Sequence, residues 1–154
     1  MKNRMAFLVA IAALVAGGAA WAADTNTLTV QASVVGTCKF VSSTSTLNFG
    51  ALDPSAGTDV NGSTTAQFWC TKGVNTDSIT AGQGLNYSGS KNQMKDSVSG
   101  EFIPYTLTLT KDGSTNNGPG SPRTLTIAGN VLGADYTGKS AGSYSDTVTI
   151  SINP

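Results

Sequence analysis

Residues Ile103–Lys111 read IPYTLTLTK, and this stretch decides the class of fold. Apolar side chains stand at every second position, and most of the residues between them are threonines. A period of two places the apolar side chains on one face of a β-strand and the polar ones on the other. Threonine is β-branched and suits the solvent face of a strand. The stretch therefore predicts a half-buried strand whose inward residues are Ile103, Tyr105, Leu107 and Leu109.

The same alternation recurs on both sides of this stretch, with turn-forming residues between the segments. Asp112-Gly113 and Asn116–Gly120 are turn sequences. Lys91–Glu101 is polar and is predicted to be a loop or a single helical turn. The other predicted strands are Thr27–Val34, Thr46–Leu52, Ser63–Thr71, Arg123–Val131 and Ser145–Ile152, with weaker candidates at Ser78–Ala81 and Leu85–Ser88.

Short alternating strands separated by turns indicate an all-β protein. About seven strands in one domain are typical of an immunoglobulin-like β-sandwich. Antiparallel sheets with one face in water give this pattern of apolar and polar residues. A closed β-barrel is the alternative fold. The chain has no internal repeat and no interdomain linker, so a single domain is expected.

The first residues have the pattern of a secretory signal peptide. Lys2 and Arg4 precede the uncharged apolar stretch Met5–Ala16, and Ala20 and Ala22 stand at the two positions that a signal peptidase reads. The cut is predicted after Ala22, with the next position as second choice. A membrane anchor is the alternative, but it would need roughly 20 apolar residues. Residues 1–22 are therefore predicted to be a signal peptide, and the chain to be exported.

Two cysteines, Cys38 and Cys70, follow the export signal. An exported chain meets an oxidising compartment, so a disulfide between them is predicted. Closing the loop between them would stabilise the fold by about 3–4 kcal/mol in the chain-entropy model. Two free thiols or a metal pair are the alternatives, although two sulfurs without any histidine make a poor metal site.

Charge is scarce in this chain, and serine, threonine, asparagine and glycine supply most of its polarity. Charged residues are 12% of the sequence, and the formal net charge is zero. Because Lys2 and Arg4 would leave with the signal peptide, the mature chain is slightly acidic. It has neither the basic face of a nucleic-acid-binding protein nor a polybasic membrane patch. Neither nucleic acid nor a small-molecule substrate is expected as a partner.

The residues that most enzymes use are missing or already assigned. The chain contains no histidine, which removes the commonest general base and the histidine-ligated metals. Both cysteines are assigned to the disulfide, so no thiol nucleophile is left. The aspartates stand mostly beside turn-forming residues, and no EF-hand calcium loop is present. We therefore predict a protein that is not an enzyme and has no catalytic residue, metal site or cofactor.

Several short motifs occur in an order and at spacings that resemble a known family. They are Thr37-Cys38, Leu47–Gly50, Cys70, Ile103–Leu107 and Ala141–Ile150. Together they make nearly the whole mature chain similar to the spore coat U domain family. Members of that family are pilin-like subunits of the archaic chaperone–usher pathway, which builds sigma fimbriae.

The resemblance implies an immunoglobulin-like β-sandwich that lacks its last strand, with an N-terminal donor strand for another subunit. A periplasmic pilus chaperone first fills the resulting hydrophobic groove, and the donor strand of the next subunit replaces it at an outer-membrane usher. Residues 23–36 would be the extension that carries the donor strand, within Thr27–Val34, and residues 37–154 the pilin-like domain. The implied donor residues are Leu28, Val30, Ala32 and Val34, and the implied lining of the acceptor groove is Val148, Ile150 and Ile152.

The implied function is that of a structural subunit of a surface pilus, or fimbria, which serves adhesion and biofilm formation. Its partners would be neighbouring copies of itself or related pilins, the chaperone and the usher. The chain would pass through the periplasm and end on the cell surface. The alternatives are a protein deposited in a spore or biofilm coat, and a monomeric secreted sandwich that binds carbohydrate or protein.

Overall fold

A computed structural model describes residues 22–74 and 78–154 of the chain, and its regular secondary structure is almost entirely β. The predicted signal peptide lies outside the described residues except for Ala22. The chain divides into two units between Ser33 and Val34. The elements, all in the second unit, are β1 (Cys38–Phe40), β2 (Val60–Cys70), β3 (Ser78–Gly84), β4 (Asn92–Asp96), β5 (Phe102–Lys111), β6 (Arg123–Val131), the one-turn helix α1 (Gly133–Tyr136), β7 (Tyr144–Ser145) and β8 (Val148–Asn153).

The strands of the described residues form two antiparallel sheets that pack face to face. The large sheet has the order β1-β2-β6-β5-β4-β7, and the small sheet pairs β3 with β8. Ile79 of β3 and Ile150 of β8 pack against a cluster that contains Phe68 and Leu125 of the large sheet. This is the predicted β-sandwich and not the alternative barrel. The all-β, immunoglobulin-like fold class is confirmed.

Two apolar clusters fill the space between the sheets, one toward each end of β6. Phe68 and Leu125 belong to the first cluster, which also holds the disulfide. Ile103 and Val131 belong to the second cluster, which also holds the ring of Tyr136. We call the two ends of the domain the disulfide end and the distal end.

The predicted disulfide is present. Cys38 of β1 and Cys70 of β2 are opposite each other in the antiparallel ladder and are bonded through their sulfurs. The Cys70 side chain is fully buried against Phe68 and Leu125. The bond therefore fastens the short edge strand β1 to the rest of the large sheet.

Some predicted strands are wrong because a strand needs a hydrogen-bonded neighbour. Within the described residues, Thr27–Val34, Thr46–Leu52 and Leu85–Ser88 form no strand. The first five residues of Thr46–Leu52 nevertheless keep their in-and-out alternation, with Leu47 and Phe49 partly buried and Asn48 between them exposed. Alternation in the sequence predicts which side chains face the core, but it does not predict whether the backbone is hydrogen-bonded to a neighbouring strand.

Two further differences lie at β4 and β8. The polar segment Lys91–Glu101 was predicted to be a loop or helical turn, but it contains β4, which pairs with both β5 and β7. The predicted strand Ser145–Ile152 is interrupted at Asp146, where the chain passes from the large sheet to the small one. β4 forms because it pairs with the next strand, β5, and with the distant β7. The interruption lies where Asp146 bonds residues that are distant in the sequence, Tyr105 and Asn86.

Candidate functional site

One edge of β8 is unpaired. On its other edge, β8 pairs with β3, with Ile79 opposite Ile152 and Ala81 opposite Ile150. No second strand of the described residues is hydrogen-bonded to it. Such an edge presents a row of free backbone N–H and C=O groups. It is therefore a place where a further strand can be added.

The direction of the backbone groups along β8 follows from one hydrogen bond beside it. The Thr147 carbonyl oxygen accepts a hydrogen bond from the Leu85 N–H, with 3.1 Å between the oxygen and the nitrogen. The Thr147 backbone groups therefore face β3. Because backbone groups of successive residues alternate between the two edges of a strand, those of Val148, Ile150 and Ile152 face the open edge.

The segment Thr46–Leu52 forms the wall opposite β8. Its inward side chains Leu47 and Phe49 lie on Gly62 of β2 and Gly129 of β6. A Cβ atom on Gly129 would stand 2.7 Å from Leu47 Cδ2 and 2.7 Å from Phe49 Cζ, which is too close for ordinary contact. The absence of side chains at these two glycines therefore lets the wall lie directly on the large sheet.

A cavity of about 280 Å³ lies between this wall and β8. The wall contributes Leu47 and Phe49, and the floor comes from the large sheet. Both of the inward residues at the start of β8 open into the cavity. Its main apolar lining residues are Phe49, Tyr105, Leu107, Ile127, Val148 and Ile150.

A second cavity of about 480 Å³ lies at the distal end, lined in part by Leu52, Ile103 and Tyr136. Four residues line both cavities, so the two are adjacent, and we call them together the groove. The shared residues are Leu47, Phe49, Met94 and Tyr144.

Asp146 fixes the point at which the chain crosses from β7 to β8. Its Oδ2 accepts a hydrogen bond from the Tyr105 hydroxyl at 2.7 Å, and its Oδ1 accepts two from the backbone N–H and Nδ2 of Asn86, both at 3.2 Å. A Cβ atom on Gly84 would overlap the carboxylate, so the close approach of β3 depends on that glycine. Burial, followed by the bond to Asp146, raises the pKa of Tyr105. These contacts tie β8 to the floor of the groove.

Asp96, at the end of β4, holds the loop beside the distal cavity. It accepts hydrogen bonds from the Ser99 N–H at 2.7 Å, the Ser99 hydroxyl at 2.8 Å and the Ser143 N–H at 3.1 Å. These bonds, the two from Ser99 foremost, lower the pKa of Asp96. Gly142 packs on the carboxylate, since a Cβ there would stand 2.7 Å from Asp96 Cγ. The distal rim of the groove is thus held by a buried carboxylate.

The groove offers apolar burial, and the free edge of β8 offers backbone pairing. Within residues 22–74 and 78–154, no cluster of three or more potential metal ligands occurs. No helix in the same ranges has the length and apolar character needed to cross a bilayer. The site therefore consists of the groove and the free edge of β8 beside it.

The family model for the Spore Coat Protein U domain matches residues 24–151. The chain belongs to the Spore Coat Protein U domain family. The match covers most of the sequence, including all the strands up to the last residues of β8. No curated protein matches the chain. The family resemblance that the short motifs indicated is confirmed.

The predicted donor residues of this Spore Coat Protein U domain chain are exposed. Leu28 and Val30, in the first unit, have 82% and 83% of their surface accessible, and Ala32 is exposed as well. Val34, which begins the second unit, is 86% accessible. Several large apolar side chains so exposed to water within one short segment are unusual. They indicate a segment that binds a partner or one that is prone to aggregation. Their role as donor residues stays a prediction.

Two of the predicted acceptor residues, Val148 and Ile150, line the cavity of about 280 Å³. Ile150 and Ile152 both pack against the apolar cluster at the disulfide end. Their role as acceptor residues stays a prediction. Leu47 and Phe49 were not predicted to line the groove, although their alternation with the polar Asn48 indicated that both side chains face inward. Sequence reasoning also missed residues that only the sheet order brings to the groove: Met94, Tyr105, Leu107, Ile127 and Tyr144.

Proposed function

We propose that this chain is a structural subunit of a surface pilus, assembled by donor-strand exchange through a chaperone–usher system, and serving adhesion and biofilm formation. Export through the predicted signal peptide would carry it to the periplasm. A pilus chaperone would occupy the groove there, and an outer-membrane usher would join the subunits. In this role the chain needs no catalytic residue and no cofactor.

The observation that supports the proposal is the free edge of β8 together with the groove beside it. The wall Thr46–Leu52 has no backbone ladder with another strand of the described residues. A strand placed in the groove could therefore pair with β8 on one side and approach the wall on the other. Its inward side chains would enter the two cavities, where Phe49, Tyr105 and Ile150 already supply an apolar lining.

The segment Thr27–Val34 has the properties of a strand that would fill such a groove. Leu28, Val30 and Val34 share one face of the alternating pattern and are exposed in the single chain. Burying the three side chains would contribute about 5–9 kcal/mol before the costs of ordering the segment. Backbone pairing along β8 would add to this, because it satisfies donors and acceptors of an open edge.

Donation between copies uses two different surfaces of each subunit. A contact of this head-to-tail kind does not close on itself and generates a filament. The scarcity of charge and the many serine and threonine side chains suit a fibre that is built from many identical subunits. The filament would end on the outer surface of the cell.

The proposal is tested on protein sheared from cells that carry the native operon, run on SDS gels with and without boiling. We expect a ladder that survives SDS, collapses to one band on boiling, and disappears when residues 27–34 are deleted. A single monomer band in every unboiled lane would contradict donor-strand assembly. It would favour coat deposition or a monomeric secreted binding protein.

A matched pair of substitutions separates the two faces of the donor segment. Val30→Asp places a charge on the face that would enter the groove, and Thr29→Asp places the same charge on the other face. We expect Val30→Asp to abolish the ladder while the monomer is still exported, and Thr29→Asp to leave the ladder in place. Equal ladders from both variants would show that Val30 is not buried in a neighbour.

A further inference from the structure

The Thr71 side chain is hydrogen-bonded to the backbone of the residues directly before β1, where the N-terminal segment leaves the domain. Its Oγ1 accepts a hydrogen bond from the Thr37 N–H at 3.0 Å. The same hydroxyl can donate to the carbonyl oxygen of Val35 or of Thr37, with 3.3 Å between Oγ1 and each oxygen. The Thr71 N–H also donates to the Thr37 carbonyl at 2.8 Å, which continues the β1–β2 ladder by one residue. We call these contacts around residues 35–37 the Thr71 clamp.

Residues 35–37, which we call the exit of the chain, lie beside the end of β8. A Cβ atom on Gly36 would stand 4.0 Å from Pro154 Cβ, directly after β8, and 3.3 Å from Val74 Cγ2. β8 therefore runs from Val148 toward the exit, and β1 runs away from it. The groove that β8 borders lies alongside the same strand, back toward the distal end.

This placement restricts how a chain could fill its own groove. If its own segment ran antiparallel to β8, Val34 would lie near Val148, at the far end of that strand. The six residues of β8 span about 20 Å. Val35 and Gly36, the two residues before Thr37, reach only about 7 Å when fully extended. A chain can therefore enter its own groove only parallel to β8, after reversing sharply at Val35–Gly36.

We propose that Thr71 is a positioning residue that holds Val35–Thr37 extended and so prevents a subunit from filling its own groove. A reversal at Val35–Gly36 moves the Val35 carbonyl away from the Thr71 hydroxyl and disturbs the bond to the Thr37 N–H. The clamp favours the extended exit by these hydrogen bonds. The donor segment then stays available to the groove of another copy.

This inference rests on the proposed function, and it explains which partner the groove takes. A second copy is not bound by the short connection and can run antiparallel to β8. Antiparallel pairing is slightly more stable per residue than parallel pairing. The clamp and the antiparallel preference therefore act in the same direction, toward joining subunits and against closing one of them on itself.

The test compares the mature chain, residues 23–154 with its disulfide formed, with Thr71→Val and Thr71→Ser. Valine keeps the size of the side chain and loses the hydroxyl, whereas serine keeps the hydroxyl. Two quantities are measured after refolding: the rate at which SDS-resistant polymer forms, and amide hydrogen exchange of Thr27–Val34 in the monomer fraction.

The wild type and Thr71→Ser are expected to form polymer at similar rates, with the segment unprotected in the monomer. Thr71→Val is expected to form polymer about tenfold more slowly, with the segment about tenfold protected in the monomer, as for the loss of roughly one net hydrogen bond. Rescue by serine would not occur if residue 71 acted only by filling space.

Failure of the clamp and failure of the proposed function give different results. Wild-type polymer formation and an unprotected segment in Thr71→Val would overturn the clamp and leave donor-strand assembly standing. No polymer from any of the three chains, with no protection of the segment, would overturn both proposals.

A second variant keeps the test decisive if Thr71→Val does not fold. Inserting two glycines between Val35 and Gly36 leaves Thr71 unchanged but gives the exit enough length to reverse. We expect the same slow polymer formation and the same protected segment in the monomer. Polymer formation at the wild-type rate from this folded variant would overturn the clamp.

Discussion

β6 and β8 carry the same alternating pattern of apolar residues, but the structure treats the two strands differently. β6 lies between β2 and β5, and its inward side chains Leu125 and Val131 are fully buried. β8 has a neighbour on one edge only, and its inward residues Val148 and Ile150 remain partly exposed. The difference teaches that alternation fixes the face of a strand, whereas its neighbours decide how completely that face is buried.

The largest effect expected from this comparison is on stability. In a Val30→Asp background, which is expected to keep the mature chain monomeric, Leu125→Ala should lower the free energy of unfolding by about 2–5 kcal/mol, because it leaves a cavity in a closed core. Ile150→Ala should cost about 1–2 kcal/mol less, because that side chain is already partly in water. Urea denaturation measures both values. Equal losses would mean that β8 is as fully buried in the monomer as β6.

A second prediction concerns the wall of the groove. Gly129→Ala should push Leu47 and Phe49 away from the large sheet and toward the groove, at a cost of about 1–3 kcal/mol from overpacking. It should also weaken capture of a synthetic Thr27–Val34 peptide, measured by calorimetry. Gly120→Ala is the control, since a Cβ there meets no atom within 4 Å. Unchanged peptide binding in Gly129→Ala would show that the wall does not border the donor.

A third, smaller effect is expected at the point where the chain crosses between the sheets. Tyr105→Phe removes the hydroxyl that bonds Asp146 and should lower the free energy of unfolding by about 1–2 kcal/mol. Tyr87→Phe, at a more exposed tyrosine, is the matched control and should change it by less than about 0.5 kcal/mol. Thermal or urea denaturation of the two variants tests the assignment, and equal stabilities would contradict it.

The smallest effect is an acid sensitivity at the disulfide end. Hydrogen bonds, first of all from the Thr124 N–H, lower the pKa of Asp112 in the folded chain. The stabilisation from this carboxylate is therefore complete above its unfolded pKa of about 3.9 and is lost as pH falls through the lower folded value. Asp112→Asn should flatten the fall in stability below about pH 4 relative to the wild type. A pH profile of Asp112→Asn identical to that of the wild type would contradict this source of acid sensitivity.

Much of the fold could be predicted from local pattern. Arg123–Val131 was predicted with the bounds of β6, and the disulfide followed from the cysteine count and the export signal. β4 was missed because Asn92–Asp96 has a single apolar residue, Met94, and owes its strand to pairing with β5 and β7. The break in the last strand was missed because it lies where Asp146 accepts hydrogen bonds from Tyr105 and Asn86, which are distant in the sequence.

The groove could be predicted only in part, for the same reason. The family resemblance implied Val148 and Ile150 as acceptor residues, and both border the cavity of about 280 Å³, while their acceptor role stays a prediction. The opposite wall depends on Gly62 and Gly129, which allow Leu47 and Phe49 to lie on strands that are distant in the sequence. Nothing in the local sequence of those glycines indicates what packs on them.

The most direct test of the account is amide hydrogen exchange along β8, measured by NMR in the mature Val30→Asp chain with and without the Thr27–Val34 peptide. We expect the peptide to slow exchange by about tenfold or more at Val148, Ile150 and Ile152, whose N–H groups face the open edge. Thr149 and Ser151, which face β3, should change much less. Unchanged exchange at the first three amides with saturating peptide would contradict the claim that β8 accepts a donor strand.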